Sequence, residues 1–205
     1  DAIILMSNHH FHVWEGRAEI NDIYVQAYLM RGDKYFATKK YGKALRDYEA
    51  ALEYPENLEV GGEWDGGWFP RIYYLIGTTY EVLGDKKKAM ESYEKAIADK
   101  YDWSEMSYYQ GLAYQKLGKQ DVADQIFEGL INAGKERLES SSAMDYFEKF
   151  GERETRSALM AVAHYLLGLG YMGQNKRSEA NKEFEEALRL SPNYMGAKKH
   201  LADLQ

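Results

Sequence analysis

The sequence predicts an all-α fold of stacked helical hairpins, and three observations carry that expectation. Four segments share one frame: "YLMRGDKYFATKKYGKALRDYEAAL", "YYLIGTTYEVLGDKKKAMESYEKAI", "SYYQGLAYQKLGKQDVADQIFEGLI" and "HYLLGLGYMGQNKRSEANKEFEEAL". In each, a glycine (Gly32, Gly77, Gly111, Gly168) is followed three residues later by a tyrosine (Tyr35, Tyr80, Tyr114, Tyr171). Twelve residues after the glycine stands an alanine (Ala44, Ala89, Ala123, Ala180), and four further on an aromatic ring (Tyr48, Tyr93, Phe127, Phe184). Gly77 and Gly111 are 34 residues apart, and a fixed period of that size marks a repeat architecture.

The elements follow in chain order. Residues 1–24 are expected to hold the remnant of a preceding repeat and a linker, because "DAIILMS" has the apolar character of a second helix's last turns. Repeat 1 spans 25–58. An insertion at 59–69 follows, since Gly32 and Gly77 are 45 residues apart, and "VGGEWDGGWF" has too many glycines to be helical throughout. Repeats 2 and 3 span 70–103 and 104–137. In each hairpin two antiparallel helices approach closely only if small residues sit at the crossing, which is the expected role of the glycine and the alanine. The aromatic positions are expected to fill the space between neighbouring repeats. Gly84 and Gly118 are placed to end first helices in the left-handed cap that glycine tolerates.

A second insertion, 138–160, separates Gly111 from Gly168 by 57 residues. Here Ser142 is expected to cap a short helix from Ala143 to Phe150, ended by Gly151, before a long helix resumes near Arg153. Repeat 4 spans 161–194, with Asn175 in the left-handed cap. Pro192 stops its second helix, and 195–205 reads as a capping helix, starting near Tyr194, that covers the end of the stack.

The recurring glycine, tyrosine, alanine and aromatic positions resemble the tetratricopeptide repeat. That resemblance implies a right-handed α-α superhelix with two inter-repeat insertions and a C-terminal capping helix. It also implies a concave groove lined by the first helices. The segments "FHVWEG", "YPENLEVG", "YYQGLAYQKLG", "DYFEKFG" and "AHYLLGLGYMGQ…SPNYMGAKKHL" resemble, more narrowly, the C-terminal repeat region of large bacterial proteins with an uncharacterised central domain. "FHVWEG" departs from that family's form, which has proline where Val13 stands. The narrower resemblance implies a larger parent protein with carbohydrate-related functions.

Bulk composition removes several function classes. The net charge is -7 with acids and bases interleaved, which argues against nucleic acid as a partner. The absence of cysteine excludes disulfides, thiolate zinc sites and cysteine nucleophiles. No run of about 18 apolar residues is present, so no membrane partner is expected. The compartment, cytoplasm or periplasm, stays open. No nucleotide loop, HExxH or Ser/His/Asp context occurs, so no cofactor and no catalysis is expected of this chain.

Two groups of residues are candidates for binding. By the resemblance, the residue three before each glycine faces the groove: Leu29, Tyr74, Tyr108 and Tyr165. Tyrosines there form a platform that packs on a peptide, an apolar side chain or a sugar while offering a hydroxyl. Arg71 and Glu81 lie nearby, with Asp33, Thr78, Glu105, Gln115 and Lys116; the lysines and asparagines of a carboxylate clamp are mostly missing. The second group is "NHHFHVWEG", with His12, Trp14 and Glu15, together with Trp64 and Trp68 in the first insertion. Its readings are a ligand-facing aromatic loop, a dock for another part of the parent, a metal site built on the histidines, or a plain connection with buried rings. The function expected overall is a non-enzymatic scaffold that binds a peptide or partner domain in the groove. The alternative is a carbohydrate-binding or accessory module with its tryptophans at the glycan.

The frame makes a direct prediction. Replacing Ala89 or Ala123 with leucine overpacks a helix crossing and lowers stability by roughly 1–3 kcal/mol. Chemical denaturation of the two variants checks this, and unchanged midpoints contradict the frame.

Overall fold

The computed structural model describes residues 2–9, 20–53, 55–58, 67–143 and 150–204, without the side chains of 141–143 and 150–155. Among the described residues the fold is all-α, with ten helices and no strand. The chain divides into two compact units, residues 1–99 and 100–205. None of the described helices is long and apolar enough to cross a membrane.

In unit 1, α1 (Ala2–Asn8) is followed by two hairpins, α2 (Ile20–Ala37) with α3 (Tyr41–Ala50) and α4 (Phe69–Leu83) with α5 (Lys86–Ala96). The end of α1 is tied down by Asn57, whose side-chain amide donates to the carbonyls of Met6 (2.7 Å) and His9 (2.6 Å). Leu58, in a single 3₁₀ turn at Glu56–Leu58, is buried beside it in the core. Pro70 lies in the first turn of α4, where its missing N–H is no loss. Asp85 caps α5 by accepting from the Lys88 amide at 3.1 Å.

Unit 2 contains the hairpins α6 (Glu105–Lys116) with α7 (Gln120–Ala143) and α8 (Phe150–Gly173) with α9 (Arg177–Leu190), then α10 (Met195–Leu204). Ser104 opens α6 with a capping box completed by Ser107. Of the 138–160 stretch, residues 138–143 continue α7 and residues 150–160 open α8, so Ser142 lies inside α7, Gly151 inside α8, and the long helix resumes close to the expected Arg153. Most of the expected short helix, 144–149, lies outside the described residues. Close approach supports α7 and α8: a Cβ on Gly134 of α7 would meet the Ala163 carbonyl of α8 at 2.9 Å, and one on Gly170 would meet the Phe127 carbonyl at 2.7 Å.

Within every hairpin the frame glycine has a specific job. A Cβ at Gly32 or Gly77 would lie 2.5 Å from a ring carbon of Tyr48 or Tyr93, and the same overlap arises between Gly111 and Phe127 and between Gly168 and Phe184. The second-helix ring thus lies over its own hairpin's glycine. The expectation placed this ring in the space between repeats; the missing side chain also leaves it a slot about one ring thick within its own hairpin. Phe127 does both, since a Cβ on Gly173 of the next hairpin would also strike it. The frame alanines beside these rings are fully buried.

All four hairpin turns share one geometry. Residues Lys39, Gly84, Gly118 and Asn175 have φ of 59°, 86°, 74° and 61°. The following amide donates to the carbonyl of the frame tyrosine: Lys40 to Tyr35 (2.8 Å), Asp85 to Tyr80 (3.0 Å), Lys119 to Tyr114 (2.9 Å) and Lys176 to Tyr171 (2.8 Å). Gly84, Gly118 and Asn175 are as expected from sequence, whereas Lys39 is a residue type that seldom accepts this conformation. Lys39→Gly therefore raises the stability of the chain by about 0.5–1 kcal/mol, the released backbone strain being partly offset by unfolded-state entropy. A denaturation midpoint equal to or below that of the parent contradicts this.

Candidate functional site

The start of α4 builds the first face, in unit 1. Trp68 immediately precedes the helix and donates its indole N–H to Asp22 of α2 at 2.7 Å. One turn into α4, the buried Arg71 guanidinium lies 5.8 Å from the Trp68 ring centroid and 3.7 Å from the Asp33 carboxylate. The other oxygen of Asp33 accepts from the Tyr48 hydroxyl at 2.8 Å. The ring in the glycine slot therefore ends on the same carboxylate that faces Arg71. A second pair braces α2 against α3: Arg31 holds the buried Asp47 through two bonds of 2.7 Å, a bidentate fork of the stronger, charge-assisted kind.

Arg71, Tyr74, Thr78 and Glu81 recur at helical spacing along one side of α4. Tyr74 and Thr78 are half-buried and Glu81 is exposed. The Tyr74 ring packs 5.9 Å from that of Tyr93, the ring in the second glycine slot. Burial, then the facing Glu81 carboxylate, pushes the Tyr93 phenol far above its ordinary range. The stripe thus presents a phenol ring, a hydroxyl and a carboxylate in sequence, with the buried Arg71 guanidinium beneath its first turn, a surface with both apolar and polar groups.

Unit 2 treats the equivalent tyrosines differently. Tyr108 and Tyr165 are 4% and 3% exposed, and α10 covers them. His200 of α10 stacks on Phe184 (5.7 Å between centroids, 20° between planes) and stands edge-on to Tyr108 at 5.6 Å. It also lies 6.0 Å from Tyr165 and 6.5 Å from Tyr109. Its Nε2 is 3.5 Å from Glu105 and its Nδ1 3.5 Å from Asp203, at the outer edge of hydrogen bonding. Lys199 donates to the Tyr109 hydroxyl at 3.2 Å, and Tyr194 packs 4.9 Å from Tyr165. The expectation that Tyr108 and Tyr165 present an open platform is therefore corrected. The last helix not only follows α9 but lies over their rings.

Of the other expected residues, Trp68 serves to fasten α4 to α2, with its N–H committed to Asp22. His12, Trp14, Glu15 and Trp64 lie outside the described residues. His200 is the residue the sequence reading passed over. Its signal was present: Tyr194, Ala197 and His200 share one face of the closing helix at spacings of three.

Tetratricopeptide repeat models match residues 25–58 and 70–98, 105–133, and 161–194, together more than half of the chain. A mitochondrial import receptor subunit, TOM70 of Saccharomyces cerevisiae, is 30% identical over 154 residues, covering 69% of this chain and 23% of the relative. An Hsp70-Hsp90 organising protein of Plasmodium falciparum is 24% identical over 171 residues, covering 78% of this chain and 28% of the relative. The chain thus spans about a quarter of the length of these curated relatives. Among solved structures, the first tetratricopeptide domain of Spaghetti (RPAP3) bound to the HSP90 peptide SRMEEVD is 16% identical, with 89% of this chain and 90% of that one covered at a TM-score of 0.30. Pseudomonas aeruginosa pilF is 21% identical, with coverage of 90% and 68% and a TM-score of 0.35. YrrB, described as a tetratricopeptide protein with an unusual peptide-binding site, is 20% identical, with coverage of 92% and 97% and a TM-score of 0.33.

The aromatic cluster of unit 2 has a pH signature. Burial first, then the Glu105 charge and against the pull of Arg137, pushes the Tyr194 phenol up to about 12. Burial, with the same carboxylate, holds Tyr165 well above the ordinary phenol range. A phenol whose folded value is raised stays neutral while the unfolded chain ionises, so stability falls as pH climbs from the ordinary value of 10.0 towards 12. Alkaline titration followed by phenolate absorbance and circular dichroism is expected to show a late phase that coincides with loss of helix. A single early phase with helicity intact contradicts this.

Proposed function

The chain belongs to the tetratricopeptide repeat family, and from that premise we propose that it is a non-enzymatic protein-interaction scaffold whose receptive surface is the α4 stripe of unit 1. The observation that carries this reading is the row Arg71, Tyr74, Thr78 and Glu81, which is polar, aromatic and partly open on one helix side. The equivalent tyrosines of unit 2 are filled from within the chain. Arg71 is buried at the start of the stripe and held by Asp33 and the Trp68 ring, so it adds a fixed positive charge beneath this side of α4 without having to be ordered by a ligand. Tyr74 supplies the kind of rigid amphipathic contact that concentrates binding energy in protein recognition.

The names of the relatives, an import receptor subunit and an organising protein of two chaperones, are those of proteins that engage other proteins, which supports the same class of role. The occupant is a peptide segment with an apolar or aromatic side chain for Tyr74, flanked by a basic group towards Glu81 and an acidic one towards Arg71. It is supplied by a separate protein or by another domain of a longer parent, as the resemblance to the repeat regions of large bacterial proteins implies.

Selection of a displayed library of random peptides on the immobilised chain tests this. Enriched peptides are expected to follow that charge order and to lose about tenfold in affinity, or roughly 1.4 kcal/mol, with Tyr74→Ala. A weaker loss is expected with Glu81→Lys. Failure to enrich any peptide, or enriched peptides indifferent to both substitutions, overturns the reading.

A further inference from the structure

The last helix of unit 2 is a curious cover. Of its ten residues only Ala197 and His200 are buried, and one of these is polar. A helix that merely seals the end of a core is expected to do so with leucine or isoleucine, because burying an imidazole costs free energy unless its nitrogens are met. Here neither nitrogen makes a hydrogen bond; each lies 3.5 Å from a carboxylate, Glu105 of α6 and Asp203 of α10 itself, inside a box of rings from α6, α8 and α9, so what holds the imidazole is charge at a distance and ring packing. The fit is also steric. A Cβ at position 196 would lie 2.6 Å from the Tyr165 hydroxyl, so the helix passes over that ring only because Gly196 stands there. These contacts amount to recognition of a particular helix, read as glycine, then lysine at the third place and histidine at the fourth, then aspartate three beyond.

The attachment is slight at the same time. A ten-residue helix is marginal on its own, and two buried residues give it few apolar contacts, the condition under which an element opens locally. It is joined to α9 by the short stretch Ser191–Tyr194 containing Pro192. We propose that the inner face of unit 2 is a helix-binding site that α10 occupies as an internal ligand, and that the occupant in trans is α10 of a second copy of this chain. The identical helix meets every requirement by construction: the gap for Tyr165, the donor for Tyr109, and the imidazole between Glu105 and the aromatic box. This site is separate from the α4 stripe and does not depend on the role given to it.

The test uses the full chain and a fluorescent peptide of residues 191–205. In the parent chain the site is filled from within, so binding is weak. Gly196→Leu, which sets a side chain against the Tyr165 hydroxyl, dislodges the chain's own α10 and opens the site. Ala197→Glu, which puts a carboxylate at a buried position, is a second route to the same vacancy. Loss of amide protection confined to 195–204 reports the dislodgement. The expected result is that either variant binds the peptide at least about tenfold more tightly than the parent, and that a peptide carrying His200→Ala loses about the same factor. Tyr74→Ala in the same chains leaves this binding unchanged, so its outcome is independent of the peptide reading for unit 1. The proposal is overturned if α10 stays protected in both variants. It is equally overturned if the opened chains ignore the peptide, or if the His200→Ala peptide binds as well as the original.

Discussion

The structure depends on a ring lying where a side chain is missing. In each hairpin the first helix has no Cβ at the frame glycine, and the aromatic residue sixteen positions on lies in the slot so formed. The contact sets the distance between the two helices, since any side chain at the glycine would overlap ring carbons. It also sets their register, because one ring fits one slot. Interiors packed to crystal-like density transmit such constraints to everything attached. The α4 stripe, where the binding candidates lie, is thus positioned by a contact directly beside it, since the Tyr93 ring lies against Gly77 and 5.9 Å from Tyr74.

The identity of that ring then decides the character of each unit's inner face. Unit 1 uses Tyr48 and Tyr93, whose hydroxyls emerge beyond the slot and face carboxylates, Asp33 and Glu81. A carboxylate so placed organises charge on the inner side: Asp33 serves Tyr48 and Arg71 together. Unit 2 uses Phe127 and Phe184, which bring no hydroxyl, and beside Phe184 the space is closed by the flat face of His200. One face is polar and partly open, the other aromatic and covered. Two oxygen atoms, present in one pair of rings and absent in the other, accompany that difference.

Most of the fold was legible because its period is carried by residue types with few alternatives. Glycine at the slot and glycine or asparagine at the turn are chosen by sterics, and sterics is local enough to read from a line of letters. The turn at Lys39 was not legible because lysine gives no sign of a left-handed backbone; the geometry there is imposed by the hairpin around it. The roles expected of Ser142 and Gly151 were not legible for a related reason: both are good cap and stop residues in isolation, yet both lie inside helices whose packing, through Gly134 and Gly170, overrides local preference. Of the candidate site, the residues of the α4 stripe were picked out through the repeat resemblance, and helical spacing aligns them along one side of α4. The covering of Tyr108 and Tyr165 was not legible, since it joins residue 200 to residues 92 and 35 positions earlier.

The contrast between the two units bears on how such an array acquires more than one partner. Repeats of one frame present equivalent positions, so a ligand that suits one would tend to suit the next, and specificity needs a device that tells them apart. On the reading proposed above, that device is built from the chain itself. A helix bearing glycine and histidine takes the aromatic positions of unit 2, leaving Tyr74, among the tyrosines three before a frame glycine, as the one that is not buried. Occupying a site in cis subtracts it from competition by the free energy of the internal contact, so only a ligand that matches the box as well as His200 does can claim it. On the proposed reading, selectivity in this chain is a property of which positions are closed, as much as of which are open.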